Sequence, residues 1–275
     1  MELDRTDLTG GARQAGIENT ERYWIVEKEP WRTQTDFDVR FDWGSAGVRS
    51  VEVGSTVVIV DVLRFTTAVE SATSCGAAVF PYRWRDESAD EFARSIGAHL
   101  AGGNDPNCLS LSPLSLFRLR PADNVVIPSP NGSTCAVIAA EKNSTVLAGC
   151  LRNVAAIGEY LREIESPITV IACGELWPDG TLRPSLEDLL GAGAILAELG
   201  GRISPEARAA VWAWNGARTD VESVIRECAS GKELVAKGHL SDVIYASEVN
   251  SSRAVPVLVN GAFRWDLDHG TSREV

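Results

Sequence analysis

The sequence predicts an α/β fold of three layers (α/β/α), in which helices cover both faces of a mainly parallel or mixed sheet. Strand-sized runs of valine and isoleucine recur along the chain, and each is followed by a polar loop and a segment of helical periodicity. Runs such as "VVIVDV" and "ITVIAC" are apolar at almost every position, which is typical of strands buried on both faces. No biased linker interrupts this alternation. We therefore expect a single compact unit over 21–275, after a disordered polar leader over 1–20.

The first elements are predicted from their patterns and from the glycines that follow them. The segment 22–43, with three tryptophans and the stretch "FDVRFDW", is typical of one or two strands at a sheet edge. The strand "VVIVDV" leads into a helix, "TAVESATSCG", that Gly76 closes in the C′ position. A strand in "AAVFPYR" and a helix in "DESADEFARSIGAHLAGG", with Gly102 and Gly103 behind it, come next.

Three further strand–loop–helix units follow. The strands are predicted in "NVVIP", "STVLAGC" and "ITVIAC", and the helices in "TCAVIAAEK", "VAAIGEYLREI" and "SLEDLLGAGAILAELG". The long loop "GELWPDGTLRP" precedes the last of these helices. Beyond it we expect a helix that starts at Pro205, one or two helices over 220–238, and closing strands in "DVIYAS" and "VPVLVNGAF".

Composition limits the possible partners and the compartment. The formal net charge of −12 argues against nucleic acid or an anionic membrane as the main partner, but a local basic site can still bind a small anionic substrate. No run is long enough to span a bilayer, and the first residues lack the pattern of a signal peptide, so we expect a cytoplasmic protein. The six cysteines show no C-x-x-C pair and are expected to be buried, reduced thiols. A homo-oligomer is an open alternative to a monomer.

Four polar loops, each after a predicted strand, form the candidate site. In open α/β sheets, ligands bind outside the carboxyl ends of the strands, where loops meet helix N-termini. The candidates are Asp61, Arg64, Thr66 and Thr67 in the first loop, Asn131, Gly132, Ser133 and Thr134 in the second, Arg152 and Asn153 in the third, and Glu187 and Asp188 behind Ser185 in the fourth.

These residue types suit a phosphorylated anion and a divalent cation. Helix N-termini bind anions, Gly132 allows close approach of the backbone, and Arg64 or Arg152 can bind phosphate or sulfonate in bidentate fashion. Asp61, Glu187 and Asp188 are the predicted seat of Mg²⁺. Each motif also has a plain structural interpretation: Asn-Gly is a turn signal, "SLED" a helix cap, and Asp61 itself a capping residue. The recurrence of such loops after four strands favours a functional site.

Several enzyme classes are disfavoured by missing motifs. The sequence has no G-x-x-x-x-G-K-[ST] loop, "GAGAIL" lacks the third glycine of a dinucleotide fingerprint, and no cysteine has the arginine spacing of cysteine phosphatases. None of the three histidines, His99, His239 and His269, lies in the four loops. A zinc site built on histidines or a phosphohistidine mechanism is therefore not expected.

With these residues assembled, the chain resembles the 2-phosphosulfolactate phosphatase (ComB-like) family of coenzyme M biosynthesis. The similarity lies in "VVIVDVLRFTT", "SLSP" at 110–113, "SPNGST", "GCLRN" and "SLEDLLGAG", with "DVIYAS" and "VPVL" near the end, and covers roughly residues 38–260. It implies an α/β fold and a Mg²⁺-dependent phosphatase that converts 2-phosphosulfolactate into sulfolactate and phosphate.

On this hypothesis Asp61, Arg64 and Asn131 are catalytic, and the other loop residues bind substrate. Asp61 with Glu187 or Asp188 holds Mg²⁺. The attacking group is a metal-activated water or Asp61 itself, through an aspartyl-phosphate. The absence of a D-x-D pattern after Asp61 favours water.

Two departures from the family pattern bear on the substrate. "AGGNDPN" stands where many members carry a Gly-Glu-Arg segment, and the long loop adds Glu175 and Arg183 near the expected mouth of the site. The alternatives are therefore a binding protein that senses an organic phosphate without hydrolysing it, and a phosphatase for another small 2-phosphoacid, such as phospholactate or phosphoglycolate.

Overall fold

The computed structural model describes residues 30–102 and 109–265, and these residues form one large sheet, a small separate hairpin and helices on both faces of the large sheet. The strands are β1 Val39–Trp43, β2 Thr56–Val60, β3 Ala78–Tyr82, β4 His99–Leu100, β5 Asn124–Pro128, β6 Thr145–Gly149, β7 Ile168–Ala172, β8 Glu175–Leu176, β9 Leu182–Arg183, β10 Val257–Val259 and β11 Ala262–Arg264.

The helices alternate with the strands in the first two thirds of the described chain and follow one another in the last third. They are α1 Pro30–Thr33, α2 Gly44–Ser50, α3 Phe65–Ser74, α4 Glu87–Ser95, α5 Gly132–Glu141, α6 Val154–Leu161, α7 Leu186–Ala197, α8 Pro205–Ala217, α9 Val221–Glu227, α10 Ala229–Ala236 and α11 Leu240–Ala246. Short 3-10 helices span Pro113–Arg118, Leu151–Asn153 and Arg218–Asp220.

The large sheet has the strand order β1-β7-β2-β6-β10-β11-β3-β5-β4. Its two ends are blocks of parallel strands, β1-β7-β2-β6 and β3-β5-β4. The antiparallel hairpin β10–β11 lies between them and pairs antiparallel with β6 on one side and β3 on the other. The predicted α/β class with a mainly parallel or mixed sheet is confirmed.

Strand β2 shows why the strands are apolar at every position. Val58 and Val60 pack into the core on one face of the sheet, with helices α6 to α9 and α11. Val57 and Ile59 pack into the core on the other face, with helices α2, α3 and α5. Because successive side chains of a strand point to opposite faces, helices on both sides demand apolar residues throughout. This arrangement is the predicted three-layer architecture.

Two of the element predictions were wrong. "DVIYAS" is not a strand but the end of α11, because its buried residues, Asp242, Val243, Tyr245 and Ala246, recur with helical and not with alternating spacing. The helix predicted over 86–101 ends at Ser95, because Gly97 adopts a φ of +63° that breaks it, and residues 99–100 form β4.

The remaining element predictions hold within the described residues. The edge segment contains one strand, β1, and Pro205 begins α8 with the Ser204 hydroxyl accepting from the Ala207 N–H at 3.1 Å. The long loop after β7 contains the hairpin β8–β9. The proposed leader over 1–20, most of the "AGGNDPN" segment and Cys108 lie outside the described residues.

The predicted burial of the cysteines holds for four of the five described ones, and Cys75 is half-buried. All five are free thiols. No helix within 30–102 or 109–265 combines the length and apolarity that crossing a membrane requires.

Candidate active site

Asp61 stands directly after β2 and is fixed there by two helix N-termini. Its Oδ1 accepts a hydrogen bond from the N–H of Phe65, the first residue of α3, at 3.1 Å. Its Oδ2 accepts from the N–H of Gly132, the first residue of α5, at 3.0 Å. Free N–H groups and the helix dipole both favour a carboxylate at such a position. The two helices therefore set the orientation of the Asp61 carboxylate.

Gly132 is required by this close approach. A Cβ atom at this position would lie 2.2 Å from the Phe65 ring and 2.7 Å from Asp61 Oδ2. The Ser129 hydroxyl oxygen supports the same turn by accepting from the N–H of Asn131 at 3.3 Å and from that of Gly132 at 3.1 Å. Gly132 was predicted to let the backbone approach a negative group closely. In the structure that group is the Asp61 carboxylate of the protein itself.

Three of the four hydroxyls predicted to bind substrate donate hydrogen bonds to backbone carbonyls of the protein. Thr66 Oγ1 donates to the Asp61 carbonyl at 2.8 Å, and Thr67 Oγ1 donates to the Val62 carbonyl at 2.8 Å. Ser133 Oγ donates to the Ile127 carbonyl at 2.8 Å, and Thr134 is half-buried in α5. None of these four is among the described residues that line the cavity beside Asp61. Thr66, Thr67 and Ser133 brace the two loops through these hydrogen bonds.

The cavity beside Asp61 has a polar floor and charged walls. Asp61, Ser129 and Asn131 face it from the sheet side, and Leu63, Phe65, Leu111 and Ile127 supply apolar surface. Its charged lining residues carry both signs and are Arg64, Arg85, Glu175, Glu233 and Lys237. The three cations, Arg64, Arg85 and Lys237, can pair with an anionic ligand, and the three acids of the same lining, Asp61, Glu175 and Glu233, balance their charge.

Glu175, on β8, was predicted to lie near the mouth of the site but not to be a catalytic residue or a metal ligand. Its Oε2 accepts from Asn131 Nδ2 at 2.7 Å, and both residues line the cavity with Asp61. The signal in the sequence was its place three residues beyond the end of β7, at the same edge as the other candidates.

Asp188 and Glu187 lie behind the cavity. Asp188 accepts from the N–H of Val62 at 2.8 Å and from that of Gly174 at 2.9 Å, so it ties the loops after β2 and β7 together. Glu187 Oε2 accepts from the Cys228 thiol at 3.2 Å. Neither carboxylate belongs to the described cavity lining, and within the described residues no group of three His, Cys, Asp or Glu side chains is placed to hold a metal ion. The structure does not bring the predicted triple ligand set together.

Burial and mutual repulsion set the electrostatics of these acids. Burial raises the pKa of Asp61 to about 7, and the charge of Glu175 adds to this, while the N–H groups of Phe65 and Gly132 oppose it. Burial, then the charges of Asp61 and Glu187, raise the pKa of Asp188. Burial also raises the pKa of Glu175, against the hydrogen bond from Asn131 and the charge of Arg183.

A divalent cation fits this part of the cavity. Mg²⁺ is commonly bound by one or two carboxylates and completes its shell with water and phosphate oxygens. Asp61 and Glu175 are two cavity-facing carboxylates whose pKa values are raised by burial and, for Asp61, by the charge of Glu175. A cation between them would relieve that repulsion.

The two predicted arginines have different surroundings. Arg64 lines the cavity, and its Nη1 donates to Asp242 at 2.6 Å. Arg152 is buried, donates to Glu70 at 2.9 Å, and stacks on the ring of Tyr245. Neither Arg152 nor Asn153 is among the described lining residues.

A sequence model of the family described as "2-phosphosulpholactate phosphatase" matches residues 46–261, which include every element of the site. The chain belongs to the 2-phosphosulfolactate phosphatase family. The resemblance noted from the sequence motifs is confirmed.

Individual family members are about equally distant from this chain. It is 30% identical over 207 residues to the 2-phosphosulfolactate phosphatase of Methanothermobacter thermautotrophicus, covering 74% of this chain and 87% of that protein. It is 32% identical over 211 residues to a probable 2-phosphosulfolactate phosphatase of Thermus thermophilus, covering 74% and 87%. A probable 2-phosphosulfolactate phosphatase of Thermotoga petrophila is 30% identical over 217 residues, covering 76% and 91%. The family and these names indicate a phosphatase, that is, a phosphoric monoester hydrolase.

Proposed function

We propose that this phosphatase hydrolyses 2-phosphosulfolactate, or a closely related small 2-phosphoacid, to the hydroxy acid and phosphate with the help of Mg²⁺. The observation that carries this is the Asp61 carboxylate, which two helix N-termini hold at the floor of a cavity lined by three cations. The relatives named as 2-phosphosulfolactate phosphatases support the substrate class.

The phosphoryl group binds at the Asp61 end of the cavity. Asn131 presents its side chain there, and Arg64 supplies a fixed positive charge to the phosphate oxygens. Asp61 orients the attacking water in line with the ester bond and accepts its proton.

Asp61 and Glu175 would hold Mg²⁺, which when bound would neutralise charge on the phosphoryl oxygens. Asn131 ties Glu175 to the Ser129–Asn131 turn, because its amide donates to Glu175 at 2.7 Å. The carboxylates behind them, Glu187 and Asp188, keep the surrounding loops in place.

The carboxylate or sulfonate of the substrate binds at the mouth of the cavity, beside Arg85. Arg85 donates its Nε to the carbonyl of Pro128 at 3.2 Å, one residue before the Ser129–Asn131 turn. This hydrogen bond fixes the stem of the guanidinium and directs its Nη groups to ligands. A guanidinium so placed recognises carboxylate or sulfonate.

The test is phosphate release from 2-phosphosulfolactate, phospholactate and phosphoglycolate by metal-stripped protein, before and after addition of Mg²⁺. We expect negligible release before the addition and turnover after it, fastest with the sulfonate. Turnover of another member of the panel reassigns the substrate. Ligand binding by calorimetry without any release overturns the hydrolase and leaves the sensor, and full release by the metal-free protein overturns the Mg²⁺ requirement.

A further inference from the structure

Asp242, on α11, is a buried carboxylate at which three segments of the chain meet. It is 1% exposed. One oxygen accepts from Arg64 Nη1 at 2.6 Å, and the other accepts from the Ser112 hydroxyl. His239, at the N-cap of the same helix, places Nδ1 3.8 Å from the first of these oxygens. A buried carboxylate needs such partners, and Arg64 supplies the permanent counter-charge.

Arg64 is only partly used by this contact. Its side chain is 17% exposed, and it lines the cavity. Within the described residues, Nη1 alone has a protein partner, so the other N–H groups of the planar fork remain for a ligand. A guanidinium held at one corner by a buried acid loses little freedom when it binds phosphate, because its orientation is already set.

Ser112 connects Asp242 to a segment of the chain to which the proposed mechanism gives no role. It belongs to the "SLSP" motif at 110–113, and its neighbour Leu111 lines the cavity. The loop is braced internally, since the Ser115 hydroxyl donates to the carbonyls of Ser110 at 3.0 Å and Ser112 at 2.8 Å. The Ser112 hydroxyl is thus delivered to Asp242 by a loop with its own fixed shape.

We propose that Asp242 is a positioning residue of the phosphatase site: with Ser112, it holds the Arg64 guanidinium in the orientation that binds the phosphoryl group. This inference rests on the proposed function, since it takes phosphate as the ligand of Arg64. It assigns the "SLSP" loop and α11 to one unit that supports Arg64, although Asp242 lies 178 residues beyond Arg64 in the chain.

The test is a double-mutant cycle between Asp242→Asn and Arg64→Lys. Asparagine keeps the shape and one acceptor but removes the charge, and lysine keeps the charge but removes the fork. Four quantities are measured for each protein: the Kd for inorganic phosphate by calorimetry, kcat and KM with Mg²⁺, and the Tm. Glu248→Gln is the matched control, because Glu248 pairs with Arg152 outside the cavity.

We expect each single variant to bind phosphate about tenfold or more weakly and the double variant to bind no more weakly than Arg64→Lys alone. Ser112→Ala removes one neutral hydrogen-bond donor to Asp242 and should weaken phosphate binding about two- to tenfold. This variant tests the same role if Asp242→Asn does not fold. Glu248→Gln should bind phosphate as the wild type does.

Additive losses in the double variant, or losses that only follow the Tm, overturn the positioning role. If the wild type binds phosphate but releases none from any ester, the proposed hydrolysis is wrong and the positioning role of Asp242 still holds. A wild type that does not bind phosphate at millimolar concentration overturns the inference.

Discussion

Arg64 and Arg152 begin from nearly the same local sequence and have different roles. Each follows a leucine just beyond a parallel strand, β2 for Arg64 and β6 for Arg152, and each meets a carboxylate on or beside α11. The contacts of Arg152 are Glu70 at 2.9 Å, the Tyr245 carbonyl at 3.2 Å, the Glu248 carboxylate and the face of the Tyr245 ring. Arg64 has one protein partner within the described residues and faces a cavity.

The difference teaches that an arginine at a strand end becomes a ligand-binding group only if the fold leaves some of its donors unpaired. The Arg152 side chain is 8% exposed, and its contacts join α3, the loop after β6 and the segment after α11. The Arg64 site also has unbalanced acids, Asp61 and Glu175, whereas Glu70 is paired with Arg152. The following predictions test this contrast, beginning with the largest expected effect.

Replacing Asp61 by Asn should abolish turnover. Asparagine fits the same space but cannot accept from both helix N-termini, bind Mg²⁺ as a carboxylate does or take a proton from water. We expect kcat/KM to fall by about a thousandfold or more, measured as phosphate release at saturating Mg²⁺. The circular dichroism spectrum should be unchanged, and a folded variant with full activity would remove Asp61 from the mechanism.

The same change, arginine to lysine, should separate the two arginine sites. Arg64→Lys should lower kcat/KM about tenfold or more and change stability little, because the charge next to Asp242 remains. Arg152→Lys should keep kcat/KM but cost about 1 to 3 kcal/mol of unfolding free energy, since lysine loses the stacking and part of the hydrogen bonding around Glu70. Steady-state kinetics and urea unfolding of both variants check this, and equal effects on both quantities would contradict the contrast.

The acids of the cavity should make stability depend on pH. Burial and Glu175 raise the pKa of Asp61 from 3.8 to about 7 in the folded state. The folded protein therefore binds more protons than the unfolded chain between these values, and its stability falls as the pH rises through that range. The loss attributable to Asp61 is at most about 4 kcal/mol, because each tenfold change in proton affinity is worth about 1.4 kcal/mol.

Urea unfolding of the wild type and of Asp61→Asn, with a chelator present, measures this effect between about pH 4 and about pH 8. The stability of the variant relative to the wild type should increase toward the upper end of the range. A relative stability that does not change with pH would show that Asp61 is not held in an environment that disfavours its charge.

The order of strands and helices along the chain followed from the sequence with few errors, because β2, β5, β6 and β7 are buried on both faces and are followed by polar loops. The failures have local causes. Gly97 ends α4 early, and "DVIYAS" is a short segment in which helical and alternating patterns differ by a few residues. Asp61, Arg64 and Asn131 line one cavity. Asp61 and Arg64 follow β2 at its carboxyl end, where ligands bind in α/β sheets. Asn131 follows β5, in the block of opposite direction, so this rule does not explain its place.

The rest of the site depends on pairings that no local pattern contains. The two parallel blocks are separated by three antiparallel pairings, β6 with β10, β10 with β11 and β11 with β3, so they run in opposite directions. The contact of Gly132, from the second block, with Asp61, from the first, could not be deduced from strand order alone. Nor does the sequence near Arg152 reveal that Glu70 and Tyr245 occupy its donors and its face.

The position of the hairpin β10–β11 has a consequence for folding while the chain is being synthesised. Residues 257–264 lie in the middle of the large sheet, between β6 and β3, although the ribosome makes them after every other described strand. Until they emerge, the nascent protein holds two half-sheets whose inner edges, β6 and β3, are unpaired and open to other chains. Completion of the sheet, and protection of those edges from aggregation, therefore waits for a short segment that contributes no residue to the chemistry.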